Sequence, residues 1–218
     1  MAGVGEGRRG RLARTRLYVV TGAREDRGDL AEFLDAILAA GVDAVQLREK
    51  DAEAGDLLRW WTVFRQRADR YGALFLVNDR PDVALALGAD GVHVGQNDLS
   101  AEFVRMLVGP DVLIGLSTHS EEQLEQGSPE ADYVCVGPIH ETPTKEGRPA
   151  TGLGIVAAAA KRERRPWFAI GGIDGETLPV VLEAGATRIV VVRAVTEAAD
   201  PGGAARRLLA GLPEAIAP

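Results

Sequence analysis

Cysteine is nearly absent: Cys135 stands alone in 218 residues, so no intramolecular disulfide can brace the fold. Histidine is scarce too. Three histidines and one cysteine leave no cluster with zinc-site spacing, which excludes a structural zinc. Aromatic residues make up 5% of the chain, and acidic residues outnumber basic ones by 32 to 25, for a formal charge of −7. A net anion is repelled by a nucleic-acid backbone unless its basic residues gather on one face, so no nucleic-acid partner is expected. No apolar run approaches the roughly 20 residues needed to cross a bilayer, and no apolar signal core follows the N-terminal arginines. A cytoplasmic protein with no membrane partner is the expectation. What the chain does have is 46% hydrophobic residues, enough at this length for one substantial core.

The first 16 residues hold five arginines and four glycines without apolar periodicity, and read as a disordered basic tail. From Leu17 onward, short β-branched runs alternate with longer amphipathic stretches rich in Ala, Leu, Glu and Arg. Strands are predicted over 17–21, 44–49, 74–79, 91–95, 113–118, 133–138, 167–172 and 188–195. A helix is predicted after each, over 29–40, 54–71, 81–87, 100–108, 121–126, 153–164, 175–184 and 199–210. Eight βα units in about 200 residues fit an α/β fold of one domain, a (β/α)8 barrel over 17–212, better than an open doubly wound sheet. Residues 213–218 are left as a C-terminal tail.

In such a barrel the chemistry gathers where the strands end. On the second strand a period of two puts Gln46, Arg48 and Lys50 on one face and Val45 and Leu47 on the other. Cations facing a barrel mouth imply an anionic ligand or an internal carboxylate, because unpaired buried charge is costly. A solvated strand face is the alternative. The third strand ends in Asn78-Asp79-Arg80-Pro81 and the fourth is followed by Gly95-Gln96-Asn97-Asp98, so two carboxylates sit at the same end of adjacent strands. Paired carboxylates suit Mg2+, which takes one or two of them and fills its shell with water and phosphate oxygens. Read alone, Asn78-Asp79-Arg80-Pro81 equally fits a helix cap.

The longest connection follows the sixth strand, and its Thr142, Thr144 and Lys145 offer two hydroxyls and an ammonium suited to phosphate oxygens. An ordinary Pro/Gly-rich surface loop would look the same. The seventh and eighth strands end in Gly171-Gly172-Ile173 and Val192-Arg193, where barrels often receive a phosphate monoester on backbone N–H groups. His119, after Ser117-Thr118, fits either a general acid–base or a hydrogen-bonded structural residue. His93 and Cys135 read as barrel packing.

Gln46-Leu47-Arg48-Glu49-Lys50, Val77-Asn78-Asp79-Arg80, Gly91-Val92-His93-Val94-Gly95-Gln96 with Asp98, Gly137-Pro138 with Thr142-Pro143-Thr144-Lys145, and Ala169-Ile170-Gly171-Gly172-Ile173 occur in one order. The ordered set resembles the thiamine-phosphate synthase family along the whole barrel. That resemblance implies a Mg2+-dependent transfer of a 4-amino-2-methylpyrimidin-5-ylmethyl group from its diphosphate to a thiazole phosphate, with release of pyrophosphate. Its partners would be those small-molecule substrates. It further implies that Gln46, Leu47, Arg48, Glu49, Lys50, Asn78, Ser117 and Lys145 bind the pyrimidine diphosphate, and that Asp79 and Asp98 hold Mg2+. Thr142, Pro143, Thr144, Gly172, Val192 and Arg193 would receive the thiazole phosphate, and Arg48, Lys50 and Lys145 would stabilise the departing diphosphate. Arg193 departs from the serine often found in the family after the last strand. The thiazole tautomerase branch of the superfamily shares the barrel but lacks the aspartates and the Thr-x-Thr-Lys loop. A catalytically idle phosphate-binding barrel would bind thiazole phosphate yet release no pyrophosphate.

Overall fold

A computed structural model of the chain describes residues 3–142 and 149–214. Eight parallel strands close into a barrel in sequence order: β1 (Leu17–Thr21), β2 (Ala44–Leu47), β3 (Leu74–Asn78), β4 (Gly91–Val94), β5 (Leu113–Thr118), β6 (Tyr133–Val136), β7 (Trp167–Ile170) and β8 (Ile189–Val191). The helices are α1 (Val4–Arg14), α2 (Leu30–Ala39), α3 (Ala54–Tyr71), α4 (Pro81–Ala86), α5 (Ala101–Val108), α6 (Glu121–Gln126), α7 (Gly154–Arg162), α8 (Leu178–Glu183), α9 (Arg193–Thr196) and α10 (Pro201–Gly211). β1 closes the ring by pairing with β2, Tyr18 opposite Ala44, and with β8, Leu17 opposite Ile189. No described helix is long and apolar enough to cross a membrane.

Alternation along each strand sorts side chains into two cores. Val19, Val45, Leu47, Phe75 and Val77 face outward and pack against the helices. Tyr18, Leu74, Leu76, Leu113, Tyr133, Phe168 and Val190 fill the barrel lumen. There the rings of Tyr18, Tyr133 and Phe168 meet edge to face, with centroids 5.6, 5.9 and 6.3 Å apart. Gly115 on β5 makes room for them: a Cβ at that position would lie 2.1 Å from Tyr133 Cζ.

The N-terminal rim is held by three aspartates that directly precede even-numbered strands. Asp43 accepts from the Leu17 N–H (3.0 Å), Asp90 from the Phe75 N–H (3.0 Å) and Asp132 from the Ile114 N–H (2.8 Å). Each carboxylate thus ties the start of one strand to the start of the next.

Two expectations are corrected. Residues 4–14 form a helix rather than belonging to a disordered tail. Three of their arginines are paired with aspartates of the barrel rather than left to water alone. Arg8 and Arg11 bind Asp90 at 3.1 and 2.8 Å, Arg9 binds Asp132 at 2.8 Å, and Leu12 seals the lumen from below at 3% exposure. The last strand stops at Val191, not at residue 195. The Thr196 N–H bonds back to the Val192 carbonyl at 3.0 Å, so the β-branched run beyond Val191 spends its donors on a helical turn, α9. Most other strands end one or two residues before the predicted positions.

Asp90 carries the largest burden at this rim. Burial would raise its pKa, but the Phe75 N–H and the Arg65 and Arg11 guanidiniums outweigh that and hold the carboxyl below its ordinary value. With a depressed folded pKa, its contribution is complete above about pH 4 and lost as pH falls through the folded value. Asp90→Ala, which removes the carboxylate shared by Arg8, Arg11 and Arg65, is expected to cost about 3–5 kcal/mol in urea unfolding at pH 7. The loss should shrink as the pH is lowered below 4.

Candidate active site

At the C-terminal rim two cavities open side by side and share a wall of Ile170, Val190 and Val192. The first, about 380 Å³, is lined by Gln46, Arg48, Lys50, Asn78, Asp79, Asp98 and Ser117, which brings together most of the polar residues predicted from the strand ends. Alternation accounts for the first three. Gln46 is an inward position of β2 at 2% exposure, and Arg48 and Lys50 continue the same face past the end of the strand.

Asp79 adopts a left-handed backbone, φ +60°, which asparagine and aspartate tolerate better than other side-chain-bearing residues. Its N–H still completes the β3–β4 ladder by donating to the His93 carbonyl at 2.8 Å. Asp98 is fixed by the Gly95 N–H, 2.7 Å from Oδ2. Burial pushes the Asp79 pKa up to about 6, with a hydrogen bond to the Asp98 carboxyl and its charge adding to the rise. Lys50 and Arg48 pull it the other way. The two carboxyl groups are therefore close enough to share a proton, and that arrangement is one a divalent cation replaces. Among the described residues no group of three or more His, Cys, Asp or Glu side chains converges. A donor set of two carboxylates with the remaining positions left to water and phosphate oxygens fits Mg2+ rather than zinc.

The floor of this cavity is a buried polar chain that the sequence pattern did not reveal. Gln46 Nε2 donates to the Tyr18 hydroxyl at 2.6 Å, and the Tyr18 and Tyr133 hydroxyls are 3.4 Å apart. Tyr133 meets His93 Nδ1 at 3.2 Å, and His93 Nε2 lies 2.9 Å from Ser117 Oγ. Burial raises both phenols well above their ordinary pKa, so they act as neutral hydrogen-bonding groups. His93 is inside the barrel, as expected, but it also holds the hydroxyl of Ser117, which lines the cavity, rather than merely filling space. His119 donates from Nδ1 to the Gly137 carbonyl at 2.5 Å and lines the same cavity, a placement that fits both of its readings.

The second cavity, about 290 Å³, is lined by Thr142, Gly171, Gly172, Ile173, Asp174, Val192 and Arg193 among others. Gly172 has φ +64°, and a Cβ there would lie 2.6 Å from the Cβ of His140, so the close passage of these two loops requires glycine. His140 N–H donates to the Gly171 carbonyl at 3.1 Å and Thr177 Oγ1 to the Gly172 carbonyl at 3.0 Å, which fixes the course of the loop along the cavity.

Two members of the predicted set turn away. Leu47 is an outward position, 1% exposed in the barrel–helix core, so its side chain does not reach the cavity. Glu49 accepts from the Ala23 N–H at 2.6 Å and braces the β1 loop instead. Pro143, Thr144 and Lys145 lie outside the described residues.

A closed parallel barrel with a cationic, carboxylate-bearing lobe beside a glycine-lined one at its C-terminal rim has the layout of a (β/α)8 enzyme. Comparison with known proteins narrows this. The family described as thiamine monophosphate synthase matches residues 17–195. The thiamine-phosphate synthase of Mycobacterium bovis (strain BCG / Pasteur 1173P2) is 51% identical over 214 residues, covering 93% of this chain and 96% of that protein. The Acidothermus cellulolyticus enzyme of the same name is 54% identical over 204 residues, covering 92% and 96%. Among solved structures, thiamine phosphate pyrophosphorylase from Pyrococcus furiosus superposes with a TM-score of 0.82 at 32% identity, covering 93% of this chain and 96% of that one. A 3-hexulose-6-phosphate synthase, at TM-score 0.64 and 21% identity, shares the fold alone. The chain belongs to the thiamine monophosphate synthase family.

The raised Asp79 pKa carries a consequence for the metal-free protein. A carboxyl whose folded pKa lies above its unfolded value costs stability that accrues as pH rises from about 4 to about 6 and is constant above that. Asp79→Asn is therefore expected to raise the thermal midpoint of the chelator-treated protein at pH 8 and to leave it nearly unchanged at pH 4. Thermal unfolding followed by circular dichroism at the two pH values checks this.

Proposed function

We propose that this chain joins the pyrimidine methylene carbon of 4-amino-2-methyl-5-(diphosphooxymethyl)pyrimidine to the ring nitrogen of a thiazole phosphate, forming thiamine phosphate and releasing pyrophosphate with the help of Mg2+. The observation that carries the reading is the paired lobes: cations and two facing carboxylates on one side, a glycine-lined loop on the other, with only Ile170, Val190 and Val192 between. Full-length similarity to proteins named for the same activity supports it.

The transfer needs no nucleophilic side chain. The bond from the methylene carbon to the diphosphate oxygen breaks, and its electron pair leaves with pyrophosphate. The amino group on the pyrimidine donates electron density to the carbon left behind, and the lone pair of the thiazole nitrogen then forms the new C–N bond. Arg48 and Lys50 bind the diphosphate and meet the charge that grows on its departing oxygens, and Lys145 is assigned the same task from the loop after β6. Bound by Asp79 and Asp98, Mg2+ would neutralise further charge on the diphosphate. Gln46, Asn78 and Ser117 orient the pyrimidine. Gln46 and Ser117 do so from the two ends of the Tyr18–Tyr133–His93 chain, which fixes their hydrogen-bonding groups in advance. Thr142 and Thr144 with backbone N–H groups near Gly172, Val192 and Arg193 hold the thiazole phosphate, and the Arg193 side chain adds a cation there. Holding the two heterocycles about 3–3.5 Å apart makes the second step effectively unimolecular.

A pyrophosphate-release assay with both substrates, run with and without Mg2+, tests the reading. Release should require both substrates and the metal. Thiazole phosphate binding without any pyrophosphate release would instead identify an idle binding barrel. Asp79→Ala and Lys145→Ala are each expected to lower turnover by about 10²–10³ while the protein stays folded. Near-normal turnover of either at saturating substrate would overturn the assigned roles.

A further inference from the structure

β1 lies between β2 and β8 in the closed barrel, so the loop that follows it crosses the rim between the two lobes of the site. That loop is anchored on both sides. Toward β2, Glu49 accepts from the Ala23 N–H at 2.6 Å, next to the cations Arg48 and Lys50. Toward β8, Arg24 and Arg27 each donate from Nη1 to the Thr196 carbonyl, at 3.0 and 3.1 Å. Thr196 ends α9, and the Thr196 and Val195 N–H groups bond back to the Val192 carbonyl at 3.0 and 3.1 Å. Fixing Thr196 therefore fixes Val192 and Arg193, which line the second cavity.

Arg24 is built for a fixed geometry rather than for solubility. It is 9% exposed, its Nε and Nη2 grip the two Asp29 oxygens at 2.6 and 2.8 Å, and its guanidinium lies 4.0 Å above the Phe33 ring. The hydrogen bond to Arg24 holds the Asp29 carboxyl below its ordinary pKa, so the pair stays charged. The Arg24 backbone has φ +55°, a conformation that persists only where the surroundings over-determine it. Arg24 lines neither cavity, so the bond-making chemistry does not account for it.

We propose that Arg24 is a positioning residue for the phosphate monoester subsite: acting through Thr196, it sets the Val192–Arg193 backbone, and through the Glu49 anchor of the same loop it keeps that subsite in register with the diphosphate cations of β2. The proposal rests on the phosphate reading of the second cavity given above. It assigns thiazole phosphate affinity to a buried guanidinium that never touches the ligand.

The test measures thiazole phosphate binding by calorimetry, with inorganic phosphate as a minimal probe, together with KM for each substrate in wild type, Arg24→Gln, Arg27→Ala and Asp29→Asn. Arg24→Gln should raise Kd and KM for the thiazole phosphate about tenfold, which is about 1.4 kcal/mol, and leave KM for the pyrimidine diphosphate within about twofold. Asp29→Asn, which releases the grip on Arg24, should shift the same constant in the same direction. Arg27→Ala, which removes one of the two donors to Thr196, should raise it by a smaller factor. A folded Arg24→Gln with unchanged thiazole phosphate affinity, or with both substrates weakened by equal factors, overturns the proposal. If Arg24→Gln fails to fold, Arg27→Ala and Asp29→Asn decide, and unchanged affinity in both overturns it. A wild-type protein that binds neither thiazole phosphate nor phosphate overturns the functional reading itself and the proposal with it, a result distinct from any change among the variants.

Discussion

Ring closure is the constraint on which the rest of the molecule depends. Once eight parallel strands are paired in sequence order, every strand must end at the same rim, and residues far apart along the chain are brought to one opening. Arg48, Asp79 and Asp98 meet there because they follow β2, β3 and β4. The glycine loop after β7 and the turn after β8 form the neighbouring lobe for the same reason. Alternation then decides which side chains face the opening. Gln46 faces the lumen while Leu47, one residue later, joins the outer core.

The two rims answer the problem of buried charge in opposite ways. At the bottom, Asp90 and Asp132 are surrounded by arginines and backbone N–H groups, so their charges are satisfied within the chain. At the top, Asp79 and Asp98 meet side by side in a cavity whose cations lie close enough to lower the Asp79 pKa but not to return it to its ordinary value. An electrostatic arrangement completed by the protein reads as structure, and one left incomplete reads as a place for a ligand.

Much of this is legible in the amino-acid sequence alone. The strands at 17–21 and 113–118 and the helices at 54–71 and 121–126 have the predicted limits, because each is a clean periodic run bounded by turn residues. Gln46, Arg48 and Lys50 could be placed on one face from a period of two, and the aspartates could be paired because adjacent strands end together. Other features were hidden for physical reasons. The arginines of α1 look solvated until Asp90 and Asp132, 82 and 123 residues further on, are brought beneath them. Tyr18, Tyr133 and His93 sit at inward strand positions and so look like filling, since their hydrogen bonds depend on three strands closing together. Glu49 shares the polar composition of the β2 motif, and only the course of the β1 loop shows that it holds backbone instead of substrate.

The docking of α1 also sets an order of events during synthesis. This helix precedes every strand in the chain and is made before them, yet its acceptors directly precede strands made much later, and little else along its own sequence would keep it helical. The stopper under the lumen can seat only after β4 and β6 have found their places. A segment made before every strand is thus among the last to settle, and its seating signals that the barrel above it has closed.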